Sequence, residues 1–452
     1  MKEYWLKSGF FTLISNGAML IFAFFTFMFL VRVLPPEKFG IWVLYLTVIT
    51  FAEIARNGIT QNALVKFLEG GTSPAYTQIV SASIAINVTT GLFSYLIIVA
   101  LAPLLSQIWG VPELKGVLWL YGIYLVFNTP LTFLEFLCMA NLNFRARFYA
   151  VFTYYAANFV MVVALHYTKG GLQVFELPLI QAGASALALV VLVALSSKYL
   201  KFVLPLERQW LSKLFHFGKF VLATSFSSML FNRMDLMMLG YFLNPIAVAV
   251  YNIPTRLSNY VEVPMNSLVS IVFPQAAMRI KEKGPDAVRY LYERSVGAML
   301  AIIIPSSLLL AIFAEPIVLL IAGAKYIAAV PILQLFALLT LLKPFGRQGG
   351  TILDSIGYPN YNFYILITVL GINFGMNWFF IVRYGVIGAI VATLISTTIG
   401  VLIQQILLIH LINIKTHHPF IYMWAFYRDG IKKLIHFTDK RIISKLQKSG
   451  QA

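Results

Sequence analysis

Charge is scarce in this sequence. Only 11% of its 452 residues are Asp, Glu, Lys or Arg, where a soluble domain carries about a quarter. There is a single cysteine, Cys138, which excludes an internal disulfide and any cysteine-based metal site. On an apolar stretch it reads as an inert thiol. No Gly-x-x-x-x-Gly-Lys-Ser/Thr loop is present, so direct ATP use is not expected. His166, His216, His410, His417, His418 and His436 have no zinc-hydrolase spacing, and no cofactor or metal is expected. Asn87-Val-Thr89 matches a glycosylation triplet but lies inside an apolar run, where it carries no meaning.

What fills the chain instead is apolar sequence, at 60% of residues and a mean hydropathy of +0.81. Runs of bilayer-spanning length recur from end to end. They predict an all-α, polytopic membrane protein with about twelve transmembrane helices near 9–31, 39–64, 78–104, 117–140, 147–167, 173–197, 214–242, 246–275, 295–313, 327–353, 361–381 and 386–412. Pro35-Pro36, Gly70-Gly71, Gly110-Val-Pro112, Gly170-Gly171, Asn244-Pro245, Gly284-Pro285 and Tyr358-Pro359 fall between spans as breakers. The first span lacks a small-residue cleavage site and is expected to be retained.

The pattern also repeats. Gly9, Pro36, Glu53 and Asn57 recur in register at Gly218, Pro245, Glu262 and Asn266, with Trp42 opposite Tyr251. Two pseudo-symmetric six-helix lobes follow: 1–205, then 206–415, with a basic amphipathic tail over 416–452. Two related halves with a substrate between them near the midplane is a common plan for a secondary transporter. Orientation follows from the cations. Twenty-two Lys and Arg fall on the side of the termini and six on the other, which puts both termini in the cytoplasm. Topology and attraction to anionic lipid account for the net charge of +17 without nucleic acid. In the tail, Ile431, Leu434, Ile435, Ile442 and Leu446 alternate with lysines at near-helical spacing, as in a helix lying on the membrane surface.

Some charges stand inside the predicted spans: Arg56, Lys219, Arg233, Arg256, Lys343 and Arg347, against Glu53, Glu135, Asp235 and Glu262. A charge at the bilayer centre costs about 2.5–3.5 kcal/mol on insertion scales, so such groups pair or face a cavity. Glu53 and Arg56 share a helix face and can neutralise each other. Glu262 is too far from Arg256 to pair within a straight helix. The surplus of cations points to an anionic substrate, and guanidinium suits phosphate in particular. Arg56, Arg256, Lys219, Lys343 and Arg347 are therefore the candidates for a central cavity. Asn62 and Asn252 join them as polar lining, alongside Asn16, Gln61, Asn128, Thr224, Asn266, Gln348 and Asn373; the alternative for each is helix–helix hydrogen bonding. Glu53, Glu262, Asp235 and Glu135 are candidates for charge pairing or for H⁺ or Na⁺ coupling. Pro254 and Pro264 interrupt the eighth span.

Three stretches resemble a known family. They are Leu30-Val-Arg-Val-Leu-Pro-Pro-Glu-Lys-Phe-Gly40-Ile-Trp42 with Glu53 to Phe67; Asn232-Arg-Met-Asp235, Leu239-Gly-Tyr-Phe242 and Val250-Tyr251 through Phe273-Pro274; and Tyr384-Gly-Val-Ile-Gly-Ala389. In order and spacing they resemble the Wzx-type polysaccharide (O-antigen repeat-unit) flippases of the multidrug/oligosaccharidyl-lipid/polysaccharide (MOP) superfamily. The resemblance implies a two-lobe, twelve-helix fold and a cationic lumen. It also implies alternating access that moves a polyprenyl-diphosphate-linked oligosaccharide from the cytoplasmic to the outer leaflet of the inner membrane. By it, Arg56 and Arg256 contact diphosphate or acidic sugar. One copy of such a fold suffices, so a monomer is expected. The rival readings are a cation-coupled drug exporter of the same superfamily, which calls for an acidic cavity, and a symporter of the major facilitator type. The loop Phe67-Leu-Glu-Gly-Gly-Thr-Ser-Pro74 lacks the latter's Gly-x-x-x-Asp-Arg-x-Gly-Arg-Arg pattern. A membrane enzyme acting on lipid-linked sugars needs a larger external loop than any expected here. A scaffold has no reason to keep arginines in the bilayer.

Overall fold

A computed structural model describes residues 2–68, 71–204 and 206–429. The tail beyond residue 429, and the side chains of Thr224 and Asn266, lie outside the described residues. Every element among the described residues is helical. They are α1 (Lys2–Val33), α2 (Pro36–Leu68), α3 (Tyr76–Ile108), α4 (Pro112–Ala140), α5 (Phe144–Lys169), α6 (Glu176–Ser196), α7 (Arg208–Phe242), α8 (Pro245–Val261), α9 (Val263–Ile312), α10 (Ala314–Ile321), α11 (Val330–Ser355) and α12 (Pro359–Ile412). A further helix, α13, covers 418–429. Nine helices among the described residues are long and apolar enough to cross a bilayer. The chain is a multi-pass membrane protein.

The breakers in the sequence set the helix ends. Pro36, Pro112, Pro245 and Pro359 each open a helix, where a missing N–H leaves nothing unsatisfied. Gly170 ends α5 in the left-handed conformation. Two glycines bend helices without ending their hydrogen-bonded run. Gly385 (φ 59°) joins the two expected spans 361–381 and 386–412 into α12, and Gly284 (φ 71°) divides α9. Side chains with a Cβ seldom adopt such angles. The expected eighth span is broken at Glu262, between α8 and α9, with Pro264 in the first turn of α9.

By internal contacts the chain forms two units: Met1–Val250 with Ile321–Lys325, and Tyr251–Leu320 with Tyr326–Ala452. The sequence-based boundary at 205/206 falls inside the first unit, because α7 packs along α2 and against α3. That packing is close. A Cβ on Gly218 of α7 would meet the Cα and carbonyl of Ile59 at 2.6 Å. The core of the first unit gathers Leu64, Leu68, Ile79, Leu134, Leu137, Cys138, Leu192 and Leu214. At the end carrying the turns after α1, α3 and α7, several groups interlock. Lys38 pairs with Glu113. Trp109 Nε1 donates to the carbonyl of Met237 at 3.2 Å, and Gly40 abuts the carbonyl of Pro245. Lys325 Nζ donates to the carbonyls of Arg32 at 2.9 Å and Leu34 at 2.6 Å. Arg32 Nε in turn donates to that of Ile321 at 3.3 Å. Two helix C-termini are thus each capped by the other's cation.

In the second unit α11 packs on α9 and α12. Its core joins Val272, Val288, Tyr292, Leu300, Ile352, Leu353 and Leu408. Within α12, Asn373 donates to Thr393 Oγ1 at 3.2 Å and Ser396 Oγ at 3.1 Å, and Asn377 donates to Asn373 at 2.9 Å. The two bonds from Asn373 fasten the halves of the helix on either side of Gly385, so Asn373 acts here as helix–helix glue.

Candidate functional site: two carboxylate clusters inside apolar helices

Glu53 lies mid-way along α2, and four polar side chains gather about it from α2 and α4. Arg56, one turn on, donates from Nη2 to Glu53 Oε2. Asn57 Nδ2 approaches the same oxygen at 3.4 Å and Asn128 Nδ2 at 3.2 Å, while Tyr121 Oη donates to Oε1 at 2.7 Å. Tyr121 and Asn128 stand two turns apart on α4 and so share the face turned to α2. One turn beyond Arg56, Thr60 accepts from Asn87 of α3 at 3.3 Å. Arg56 is 0% exposed. Its Nε and Nη1 have no hydrogen-bond partner. Gly91 of α3 makes room for it, since a Cβ there would sit 3.3 Å from Arg56 Cδ. The i, i+3 pairing expected of Glu53 and Arg56 is present, and the guanidinium is occluded in this conformation.

Glu262 occupies the break between α8 and α9. Pro264 lacks an N–H, and the chain closes instead through i→i−3 bonds, Glu262 N–H to Asn259 O at 3.2 Å and Met265 N–H to Glu262 O at 3.0 Å. The carboxylate is held from α11. Lys343 Nζ donates to Oε1, and Arg347 Nη1 stands 3.9 Å from Oε2. Lys343 and Arg347 are one helical turn apart, so both reach one point. Their side chains are 26% and 40% exposed, against 13% for Glu262. Two cations thus face one carboxylate, and the more exposed cation is the more weakly held. Nearby on the same helices, Ser258 and Thr340 share a hydrogen bond of 2.8 Å. Gln348 is fully buried with neither side-chain polar atom bonded.

The remaining candidates are placed as follows. Asn252 is buried on α8, with Oδ1 lacking a partner, and Arg256 is half-buried one turn later. Lys219 on α7 and Asn62 on α2 are exposed, and Asp235 on α7 is 8% exposed. Glu135 pairs with Arg147 of α5 at 3.9 Å, near the turn between α4 and α5. The structure therefore gathers Glu53 with Arg56, and Glu262 with Lys343 and Arg347. Tyr121 and Asn87 escaped the sequence reading. The polar i, i+7 pair Tyr121 and Asn128 on an otherwise apolar helix was the available signal for the first.

Residues 29–331 match the model of a family described as polysaccharide biosynthesis protein. Over 234 residues the chain is 28% identical to the uncharacterized membrane protein MJ1068 of Methanocaldococcus jannaschii, across 51% of this chain and 45% of that one. Over 202 residues it is 21% identical to the probable low-salt glycan biosynthesis flippase Agl15 of Haloferax volcanii, across 45% of this chain and 43% of the relative. The chain thus matches less than half the length of these two curated relatives. A solved structure, the inward-facing conformation of a multidrug resistance MATE family transporter of the MOP superfamily, superposes with a TM-score of 0.70 at 15% identity. It covers 87% of this chain and 95% of its own. At that identity the likeness is one of fold. Matched by the family model over most of its length, the chain belongs to the polysaccharide biosynthesis protein family.

Proposed function

We propose that the protein is a flippase for polyprenyl-diphosphate-linked oligosaccharide repeat units in surface polysaccharide biosynthesis (O-antigen, capsule or exopolysaccharide). It moves them from the cytoplasmic to the outer leaflet of the cell membrane by alternating access. The family match supports this reading. The observation that carries it is the convergence of Lys343 and Arg347 on the single carboxylate of Glu262 inside apolar helices. Positive charge in excess, partly exposed and in a membrane, suits an anionic headgroup. On this reading the polyprenyl tail stays in lipid, and the diphosphate and sugars pass through the protein. Lys343 and Arg347 replace part of the lost hydration, with Arg256, Lys219, Asn62 and Asn252 completing the lining. Arg56 joins them when Glu53 releases it. Contacts must stay weak enough for exit. The fold is twelve spans in two six-helix lobes, 1–205 and 206–415, working as a monomer with both termini in the cytoplasm. Glu53, Glu262, Asp235 and Glu135 are the groups available for H⁺ or Na⁺ coupling. The protein acts as a transporter without chemistry on its cargo.

The MATE fold likeness favours one second reading, a cation-coupled drug exporter. An excess of acid in the cavity would suit that cargo, and the Glu262 cluster has an excess of base. The deciding measurement is the fate of lipid-linked oligosaccharide in cells lacking the protein. Wild type should cure its accumulation on the cytoplasmic side, and both Lys343→Ala/Arg347→Ala and Arg56→Ala/Arg256→Ala should fail to. No accumulation in the deletion strain would sink the flippase reading and return the chain to the exporter.

A further inference from the structure

None of the residues placed on the proposed transport path lies on α13, which begins just past the end of α12 at Ile412. Its first turn is pinned to α9. Glu293 is 1% exposed, accepts from the Lys415 backbone N–H at 2.8 Å and lies 2.8 Å from His418 Nδ1. A buried carboxylate requires such partners, and the N-terminal turn of a helix favours a negative charge. One turn along α9, Gly297 lets the helix in close. A Cβ there would meet the carbonyl of Pro419 at 2.7 Å and Tyr422 Cβ at 2.8 Å. Met423 enters the core of the second unit, and Tyr427 Oη donates to the carbonyl of Ala301 at 2.6 Å. Pro419, Tyr422, Met423 and Tyr427 thus form a docked face at helical spacing.

The other face of the same helix is apolar and turned outward. Phe420, Ile421 and Trp424 are 45%, 56% and 68% exposed, and Arg428 continues their row. Because the docked face fixes the rotation of the helix, these side chains are held in place and do not turn inward to hide. We propose that this face is an interfacial anchor. It lies in the headgroup–acyl boundary of the leaflet on the side of the termini, and its occupant is anionic lipid.

Position is the first argument, since α13 starts a few residues past the end of a membrane span. Side-chain chemistry is the second, because Trp and Phe settle at the headgroup level. The third is charge. Lys415 and Arg428 flank the face, and the following sequence carries Lys432, Lys433, Lys440, Arg441, Lys445 and Lys448, against two acids, Asp439 and the Asp429 that pairs with Arg428. Each basic residue near an anionic leaflet adds to the attraction. An apolar groove on another protein would accept the same three side chains, but would not call for this excess of cations. The inference holds whatever cargo the protein carries.

The test uses the full chain in proteoliposomes, with the buried Cys138 replaced by Ala. An environment-sensitive fluorophore is placed at Ile421→Cys, Trp424→Cys or, as a control on another face of the helix, Asp429→Cys. Each is quenched in turn by nitroxide-bearing lipid and by aqueous iodide. At 421 and 424 the lipid quencher should be at least about threefold more effective than iodide, with the order reversed at 429. Adding phosphatidylglycerol to phosphatidylcholine vesicles should increase the lipid quenching. Iodide dominating at 421 and 424 would overturn the proposal in favour of a solvated face. Protection from both quenchers would overturn it in favour of a protein-covered one. Lipid quenching indifferent to phosphatidylglycerol would overturn the anionic preference. His418→Ala, which leaves Glu293 bonded to the Lys415 N–H, supplies a folded variant in which the clamp is weakened. There the contrast between 424 and 429 should shrink, and an unchanged contrast would remove the clamp from the account.

Discussion

At the scale of the residue, the two carboxylate clusters differ in how they respond to truncation. Glu53 has four donors, so losing Arg56 leaves it three. Arg56 has one acceptor for its side chain and is fully buried. Removing that acceptor strands a cation in apolar surroundings, a change that typically costs about 3–5 kcal/mol. Glu53→Ala should therefore lower the thermal unfolding midpoint in detergent much more than Arg56→Met, and Glu53→Ala/Arg56→Met should recover most of the loss. Equal effects of the two single changes would mean that the pair is not isolated as described. The sequence made this pair visible because both members sit on one helix, three residues apart. It hid the partner of Glu262, because Lys343 and Arg347 arrive from a helix some eighty residues later. No local spacing encodes a meeting of that kind. The break at Glu262, by contrast, was marked by Pro264.

Helices are the next scale, and here glycines decide what can pack or turn. Gly218, one of the repeated positions, is where α7 crosses the backbone of α2 at Ile59. Gly218→Val should force the two helices apart and lose folded protein in the membrane fraction, whereas Gly371→Val on α12, which has open space around it, should be tolerated. The stretch Tyr384-Gly-Val-Ile-Gly-Ala389 has a similar physical basis. Gly385 takes a positive φ at the turn, and Gly388 abuts the carbonyl of Phe380 across it. A Cβ at Gly385 should cost about 1–2 kcal/mol, read as a lower unfolding midpoint for Gly385→Ala, with Gly388→Val worse because backbone stands in its way. Most helix ends could be read from Pro and Gly before any coordinates. What could not be read was that Gly284 and Gly385 would bend their helices without ending them, since the same residue serves as terminator or as hinge according to the packing on either side. Periodicity also does not say which neighbours a helix packs against, and for α7 these are α2 and α3.

For the whole molecule the issue is what drives and gates a cycle of alternating access, on the flippase reading. The clasp of Arg32 and Lys325 closes one end of the first unit through bonds from charged donors to carbonyls, each worth about 1.5–3 kcal/mol. Lys325→Met should shift the closed–open balance about tenfold or more. Spin labels at Glu37→Cys and Ala324→Cys, both in the first unit, should then show a new, longer distance population; an unchanged distribution would make the clasp a passive cap. The driving force is a separate matter. A lipid diphosphate carries about two negative charges, and an inside-negative potential favours outward movement of an anion by about 2.3 kcal/mol per charge per 100 mV. Suppose Lys343 and Arg347 neutralise the headgroup in transit. The loaded step is then nearly electroneutral, and the empty site returns with its positive charge moving inward, which the same potential favours. The net charge moved per cycle is the same either way, so the argument does not depend on which step is slow. Flipping in proteoliposomes of fixed orientation should speed up when the cytoplasmic side is made negative and slow when the sign is reversed. Equal rates at both signs would rule out the potential as the driving force. A dependence on the pH or Na⁺ gradient in its place would turn attention to Glu53 and Glu262, the two carboxylates that the repeat puts at equivalent places in the chain.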